Sequence, residues 1–186
     1  AAIFIFLVVV ATVAIYKSSN EPQPLSQVAE QIVPGGKKAV LTLDNGEAID
    51  LKSTSCVELT EKDGTVIQVD STALNYQQAP ARTSEKLAYN KVNVPRGGEY
   101  QLTLSDGSKV QLNSMSSIRF PVQFAQDCRL VELEGEAYFE VSKTGQPFIV
   151  QTKGMKIEVL GTTFNISAYA NEEYQTTLVS GSVKVQ

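Results

Sequence analysis

Residues Ile32–Ser55 read IVPGGKKAVLTLDNGEAIDLKSTS, and residues Asn93–Ser116 repeat them as NVPRGGEYQLTLSDGSKVQLNSMS at an offset of 61 residues. The two copies are identical at ten of 24 positions without a gap, several times more than chance would give. In each copy, two runs of alternating apolar residues flank a turn at Asn45-Gly46 or Asp106-Gly107. Such a turn is the strongest short-range signal of a β-hairpin, because Asn-Gly and Asp-Gly readily adopt the type I′ conformation. The repeat therefore predicts a chain built from recurring β units.

A second regular pattern lies in Leu130–Val141, which reads LVELEGEAYFEV. Apolar residues alternate there with four glutamates and a tyrosine, which predicts a strand with one dry face and one wet face. Gly135 interrupts the dry face, and we expect it to permit a bulge or close backbone packing, as we do for Gly161. Further strands are predicted at Pro147–Thr152, Met155–Leu160, Thr163–Tyr169, Gln175–Val179 and Val183–Gln186.

The segment between the two copies contains one more hairpin signal, in which Cys56–Thr60 and Thr65–Val69 flank an Asp-Gly turn. By contrast, Ser71–Lys91 lacks sustained periodicity and is interpreted as a connector with a short strand around Tyr89. No segment beyond the apolar N-terminus has helical periodicity over three turns. We therefore predict an all-β fold, an antiparallel hairpin array that closes as a sandwich, barrel or solenoid.

The first 16 residues, Ala1–Tyr16 (AAIFIFLVVVATVAIY), are apolar almost throughout. As a helix they would extend about 24 Å, somewhat less than the roughly 30 Å of a bilayer core. They have neither a basic leader nor a small-residue cleavage site, so we interpret them as a transmembrane helix truncated at its start. The polar residues Lys17–Gln31 then form a tether. Residues 32–91 are predicted to hold the first β repeat and the connector, and residues 92–186 the second repeat, the two together forming one compact domain.

The composition argues against several classes of function. The chain has no histidine, which removes the usual general base and the commonest metal ligand. Its formal net charge of −4 argues against nucleic acid as a partner. The two cysteines, Cys56 and Cys128, form no CxxC pair, which argues against zinc, and the sequence leaves open whether they form a disulfide.

Candidate catalytic and metal-binding groups are few. Glu134 and Glu136 share the wet face of the predicted strand, at roughly the carboxylate spacing of an inverting glycosidase. Solvation and cross-strand ion pairs explain such exposed carboxylates more simply, so no catalytic residue is predicted. The aspartates Asp63, Asp106 and Asp127 are scattered, so no metal site and no cofactor is predicted either.

Several motifs in the second half of the chain point to one known family. They are Val94–Tyr100 (VPRGGEY), Leu102–Ser108 (LTLSDGS), Leu112-Asn113, Arg119–Pro121 (RFP), Leu133–Val141 (LEGEAYFEV), Pro147-Phe148, Val159–Asn165 (VLGTTFN) and Leu178–Val183 (LVSGSV). In order and spacing these motifs closely resemble the FecR-type periplasmic sensor domain, over roughly Ala39–Gln186.

The resemblance implies a FecR-type β-sandwich or solenoid-like fold, with residues 92–186 containing the FecR core, and a function in signal relay. Proteins of this family are single-pass inner-membrane anti-sigma factors, not enzymes. They bind an extracytoplasmic-function sigma factor through a cytoplasmic region and receive a signal in the periplasm from the signalling domain of a TonB-dependent outer-membrane transporter. We therefore expect inner-membrane anchoring with the β domain in the periplasm. The sigma-binding region, and the segment that usually follows the Leu178–Val185 motif, are expected to lie outside this sequence.

The alternative is a membrane-anchored carbohydrate-binding β module. It would use exposed tyrosines as sugar platforms, namely Tyr76, Tyr89, Tyr138, Tyr169 and Tyr174. The absence of tryptophan disfavours this hypothesis, because sugar platforms depend on broad aromatic faces. A glycosidase acting through Glu134 and Glu136 is the third hypothesis.

Overall fold

The computed structural model describes residues 35–51, 57–60, 66–69, 73–77 and 87–186. These residues form strands and no helix, which confirms the all-β class. The strands are β1 (Gly36–Lys37), β2 (Val40–Thr42), β3 (Ala48–Asp50), β4 (Val57–Thr60), β5 (Val66–Val69), β6 (Ala73–Gln77), β7 (Tyr89–Val94), β8 (Gly98–Thr103), β9 (Lys109–Leu112), β10 (Ser116–Pro121), β11 (Arg129–Glu140), β12 (Phe148–Gln151), β13 (Lys156–Val159), β14 (Thr163–Ala168), β15 (Gln175–Ser180) and β16 (Lys184–Val185).

The predicted membrane helix at residues 1–16 and the tether at residues 17–31 lie outside the described residues. Within the described ranges, no helix has the length and apolar character needed to cross a membrane.

The strands form two hydrogen-bonded sheets that share β11. The first sheet has the order β3-β2-β7-β10-β11-β12-β13-β16, and the second has the order β4-β5-β6-β8-β9-β11-β14-β15. Up to Glu134, β11 pairs with β10 and β12, whereas from Gly135 onward it pairs with β9 and β14. One long strand therefore carries the chain from the first sheet into the second.

Gly135 marks the point at which β11 changes sheets. Its φ is +87°, and a Cβ built on it would lie 2.4 Å from Oγ and 2.8 Å from Cα of Ser116. The next residue, Glu136, donates its backbone N–H to Ser116 Oγ at 2.8 Å. These contacts confirm the predicted close backbone packing, since only glycine combines this φ with this approach.

The two sequence copies form equivalent hairpins, β2–β3 and β8–β9, but the hairpins lie in different sheets. Leu43 and Leu104, which are 61 residues apart, make the same backbone hydrogen bonds. Each donates its N–H to the carbonyl of the residue four positions later, at 2.9 Å for Leu43 and 2.8 Å for Leu104. The carbonyl of Leu43 accepts from the N–H of Gly46 and that of Leu104 from the N–H of Gly107, both at 2.9 Å. The predicted type I′ turn is wrong, because that turn needs positive φ at both central residues and only the glycines have it. The loops instead have the three-residue form, a type I turn followed by glycine in the left-handed region.

The sheets are mixed, so the prediction of a purely antiparallel array is wrong. β1 and β6 both pair with β8 in parallel, and β11 pairs with β12 in parallel. β6 also lies inside Ser71–Lys91, which we interpreted as a connector. Its periodicity is confined to two buried residues, Leu74 and Tyr76, and is too short to distinguish from a loop by sequence.

The core lies between the two sheets. Phe139 of the second sheet stacks on Phe164 with ring centroids 5.1 Å apart, and meets Phe148 of the first sheet edge to face at 6.1 Å. Tyr76 and Phe120 make another edge-to-face contact between the sheets, at 5.2 Å. These contacts make the two sheets face each other as the halves of a sandwich.

Candidate partner-binding edge

The glutamates of β11 lie on the wet face that the sequence predicts, but they divide between the two sheets. In the first sheet, Glu132 accepts a hydrogen bond from Arg119 at 3.1 Å. Glu134 lies 3.7 Å from Lys91 Nζ and accepts from Ser117 at 3.2 Å. These are the cross-strand pairs expected of a solvated face, and exposed pairs of this kind contribute little to stability.

Glu136 has different neighbours, in the second sheet. Its carboxylate accepts one amide hydrogen bond from Asn113 at 2.8 Å and another from Asn165 at 2.9 Å. With Glu99, Gln111 and Tyr138 it lines a depression of about 440 Å³, and Glu134 is not part of that lining. The depression that Glu136 lines therefore does not include the second carboxylate of the glycosidase hypothesis.

The scattered aspartates have structural partners where they are described. Asp106 is paired with Arg129, and Asp127 accepts a hydrogen bond from the backbone N–H of Cys128 at 2.9 Å. Asp63 lies outside the described residues. Across the described ranges, no group of three His, Cys, Asp or Glu side chains could hold a metal ion. Cys128 is a half-buried free thiol, and Cys56 also lies outside the described ranges.

A buried cluster around Arg129 was missed by the sequence analysis. Arg129 and Asp106 are 2.5 Å apart, and the Arg129 guanidinium also donates to the carbonyls of Ser142 at 3.0 Å and Gln146 at 2.6 Å. Ser108 donates its hydroxyl to Asp106 at 2.6 Å. The cluster joins the β8–β9 turn to the loop between β11 and β12. The sequence contains a signal for this cluster, because Arg129 is in phase with the dry-face residues of β11, and a buried arginine requires a hydrogen-bond acceptor.

The tyrosines do not form an exposed platform. Tyr76 was predicted to be exposed, but it is buried and its hydroxyl accepts from Asn90 at 2.8 Å. Arg119 covers the ring of Tyr89 at 4.0 Å, and Tyr169 donates its hydroxyl to a backbone carbonyl at 2.8 Å. The prediction failed at Tyr76 because that residue lies in β6, the strand that was interpreted as a connector.

The described structure has a more open region at the edge of the second sheet. There β15 pairs with β14 alone among the described strands. Just before its last residue it carries two exposed apolar residues, Leu178 and Val179, which are 44% and 60% exposed. A bulge lies at Val179, because Leu178 pairs with Phe164 and Ser180 pairs with Thr163. Free backbone groups beside exposed apolar side chains are what a protein partner can bind.

The chain passes from this edge to the edge of the first sheet through a tight turn. Thr162 is buried and donates its hydroxyl to the carbonyl of Ser182 at 2.8 Å, and Gly181 has a φ of +97°. After the turn, β16 pairs with β13 and places Val185, which is 51% exposed, opposite Ile157. We call β15, β16 and this turn the C-terminal edge.

Comparisons with known proteins agree with this geometry. The family model described as FecR protein matches residues 90–184, which begin within β7 and end within β16. Two crystal structures of a candidate anti-sigma factor from Parabacteroides distasonis ATCC 8503 are similar, one at 41% sequence identity with a TM-score of 0.51 and the other at 42% with 0.50. They cover 52% and 51% of this chain, and the match spans 46% of each of those chains, so less than half of their length is represented.

No curated protein matches the sequence. The family model accounts for just over half of the chain, and the solved structures match about half of it at more than 40% identity. The chain therefore belongs to the FecR family.

Proposed function

We propose that this chain is the sensory part of a single-pass inner-membrane anti-sigma factor. In this account the β domain lies in the periplasm and receives a signal from the signalling domain of a TonB-dependent outer-membrane transporter. The signal then changes the binding of an extracytoplasmic-function sigma factor by a cytoplasmic region. The domain acts by binding a protein and catalyses no reaction.

The observation that carries the proposal is the match to the FecR family over residues 90–184. The similar solved structures belong to a protein described as a candidate anti-sigma factor, which supports a regulatory role. The apolar segment at residues 1–16 supports anchoring in a membrane.

The surface of the domain suits a binding function. The wet face of β11 carries ion pairs and hydrogen bonds from asparagine side-chain amides, and Glu134 and Glu136 lie in different sheets. The C-terminal edge, by contrast, offers backbone groups and apolar side chains to a partner. A protein that relays information needs such a contact surface, whereas a hydrolase needs a cleft with converging reactive groups.

A domain exchange tests the proposal. Residues 34–186 of the full-length protein would be replaced by the corresponding domain of a FecR protein that responds to a different transporter. Transcription from a promoter that depends on the cognate sigma factor should then follow the ligand of the second transporter. Exchange of residues 1–31 alone is the matched control and should leave the original response in place. If the promoter still responded to the original ligand after the domain exchange, this domain would not be the receiver.

A further inference from the structure

We propose that residues 35–38, which include β1, form a releasable strap, and that release of this strap from β8 passes the signal from the β domain toward the membrane. The inference rests on the proposed function, because it names the step that follows reception of the signal. Residues 1–34 precede the strap and contain the apolar segment that we interpret as a membrane anchor. The strap is therefore the covalent link between the domain and that anchor.

Backbone groups attach the strap to β8. Gly36 donates its N–H to the carbonyl of Gly97 at 3.1 Å, and Lys38 donates its N–H to the carbonyl of Glu99 at 3.3 Å. The pairing is parallel and is two residues long. Parallel pairs are slightly weaker per residue than antiparallel ones, and each backbone bond replaces bonds to water, so its net contribution is small. The strap therefore gains little free energy by docking.

The side chains of the strap add little to this attachment. Gly35 and Gly36 have no side chain, and Lys37 is exposed. Ordering a glycine also costs more conformational entropy than ordering any other residue. The core begins directly after the strap at Ala39, which is 2% exposed and accepts a hydrogen bond from the backbone N–H of Leu51 at 2.9 Å. The strap can therefore leave β8 while the core stays intact.

The second sequence copy contains a firmly attached version of the same segment. At the 61-residue offset the strap corresponds to residues 96–99, and Ala39 corresponds to Tyr100. In the second copy the strand continues without a break as β8, and Tyr100 is buried with 1% exposure. In the first copy the equivalent strand is divided into β1 and β2, which pair with β8 and β7 respectively. The break between β1 and β2 is where the strap can hinge.

The docked position of the strap is nevertheless specific. A Cβ built on Gly98 would lie 2.8 Å from the carbonyl oxygen of Lys38, so a glycine is needed for the backbone of the strap to lie this close to β8. At Gly36, by contrast, an added Cβ would meet Cε of Lys38 at an ordinary contact distance of 3.8 Å. The strap thus combines a defined docked position with a weak attachment, which are the properties that a two-state element requires.

Hydrogen exchange of the full-length protein in detergent tests whether the strap opens independently of the domain. The amides of Gly36 and Lys38 should exchange at least about tenfold faster than the amide of Leu51, which is bonded to Ala39 just beyond the strap. Equal exchange at the three amides would mean that the strap opens only together with the domain, and would overturn the proposal.

Two substitutions at Gly36 test whether release of the strap carries the signal. Gly36→Pro removes the N–H that is bonded to Gly97 and should release the strap. Gly36→Ala keeps this N–H and has room for its methyl group, so it is the matched control. Transcription from the sigma-dependent promoter would be measured in the inducing and non-inducing cultures that define the two levels of the parent strain. The proline variant should give the induced level, within about twofold, in both cultures, and the alanine variant should switch as the parent does.

The remaining results overturn the proposal in distinguishable ways. A proline variant that switches normally or stays at the non-induced level would show that release does not carry the signal, and would leave the relay function standing. Equal loss of switching in both variants would assign the effect to the position and not to the backbone bond. A clear decrease in the free energy of unfolding of the proline variant in urea would make the strap part of the cooperative fold. A parent protein that never switches would overturn this inference and the proposed function together.

Discussion

Arg129 and Asp106 form an ion pair at 2.5 Å, although their side chains are only 1% and 7% exposed. The positions are 23 residues apart and belong to different structural units, the start of β11 and the β8–β9 turn. Backbone carbonyls of Ser142 and Gln146 accept the remaining described bonds of the guanidinium. The pair therefore fixes a hairpin of the second repeat against the strand that joins the two sheets.

Replacing Asp106 by asparagine should lower the free energy of unfolding by about 3 kcal/mol or more, because it leaves a buried guanidinium without its counter-charge. The repeat supplies a matched control at Asn45, which occupies the equivalent position in an exposed turn. Asn45→Asp makes the reverse change there and should alter stability by no more than about 0.5 kcal/mol. Urea denaturation measures both. Equal effects at the two positions would mean that the buried pair has no special role.

Replacing Gly135 should destabilise the fold through a steric clash as well as through its positive φ. Gly135→Ala would place a methyl group against the backbone of Ser116, whereas Gly145→Ala, at the same φ of +87°, meets no atom within 4 Å. The Gly145 variant should lose about 1 kcal/mol, which is the cost of the left-handed conformation. The Gly135 variant should lose roughly 2 kcal/mol more, since a close-packed site cannot accept the extra carbon. If thermal unfolding ranked the two variants equally, the sheet change at Gly135 would not depend on this contact.

The aromatic contact between the sheets should contribute strongly to stability. Phe139→Ala removes the ring that stacks on Phe164 and meets Phe148, and should cost about 3–5 kcal/mol in chemical denaturation. Leu160→Ala removes a side chain that is 60% exposed and should change stability by about 0.5 kcal/mol or less. A small loss at Phe139 would contradict the two-sheet core.

The wet-face carboxylates should be dispensable for function. The double variant Glu134→Gln and Glu136→Gln should have a free energy of unfolding lower by about 1–2 kcal/mol, mostly because the hydrogen bonds from Asn113 and Asn165 to Glu136 are weakened. It should leave the sigma-dependent reporter response unchanged. The glycosidase hypothesis predicts instead that this variant loses a glycoside-cleaving activity of the parent protein. Detection of such a loss would contradict a purely binding role.

The hairpins and the two faces of β11 could be predicted from sequence, because turn residues and alternating apolar residues lie within a few positions of one another. The 61-residue repeat predicts both hairpins, and the alternation of Leu130–Val141 predicts the two faces of β11. The turn type was wrong, since Asn45 and Asp106 were expected to take positive φ. Their side chains instead accept the backbone N–H two residues on, at 2.8 and 3.0 Å, and leave the left-handed conformation to the glycine.

The long-range part could not be predicted in the same way. The parallel pairs of β8 with β1 and β6 join segments that are far apart in sequence, and periodicity carries no information about which strands meet. The exposure of Leu178 could not be predicted either, because Leu178 has the alternation of a buried residue, yet it lies on β15, which pairs with β14 alone among the described strands. The burial of Arg129 is the exception, because the sequence alone shows a charged residue in phase with the core residues of β11.

The most direct test of the account is isothermal titration calorimetry of the full-length protein in detergent. The titrant is the signalling domain of a TonB-dependent transporter encoded beside it. The account predicts saturable one-to-one binding that the signalling domain of an unrelated transporter does not reproduce at the same concentrations. Absence of binding, together with sigma-dependent transcription that still follows the transporter's ligand, would contradict it.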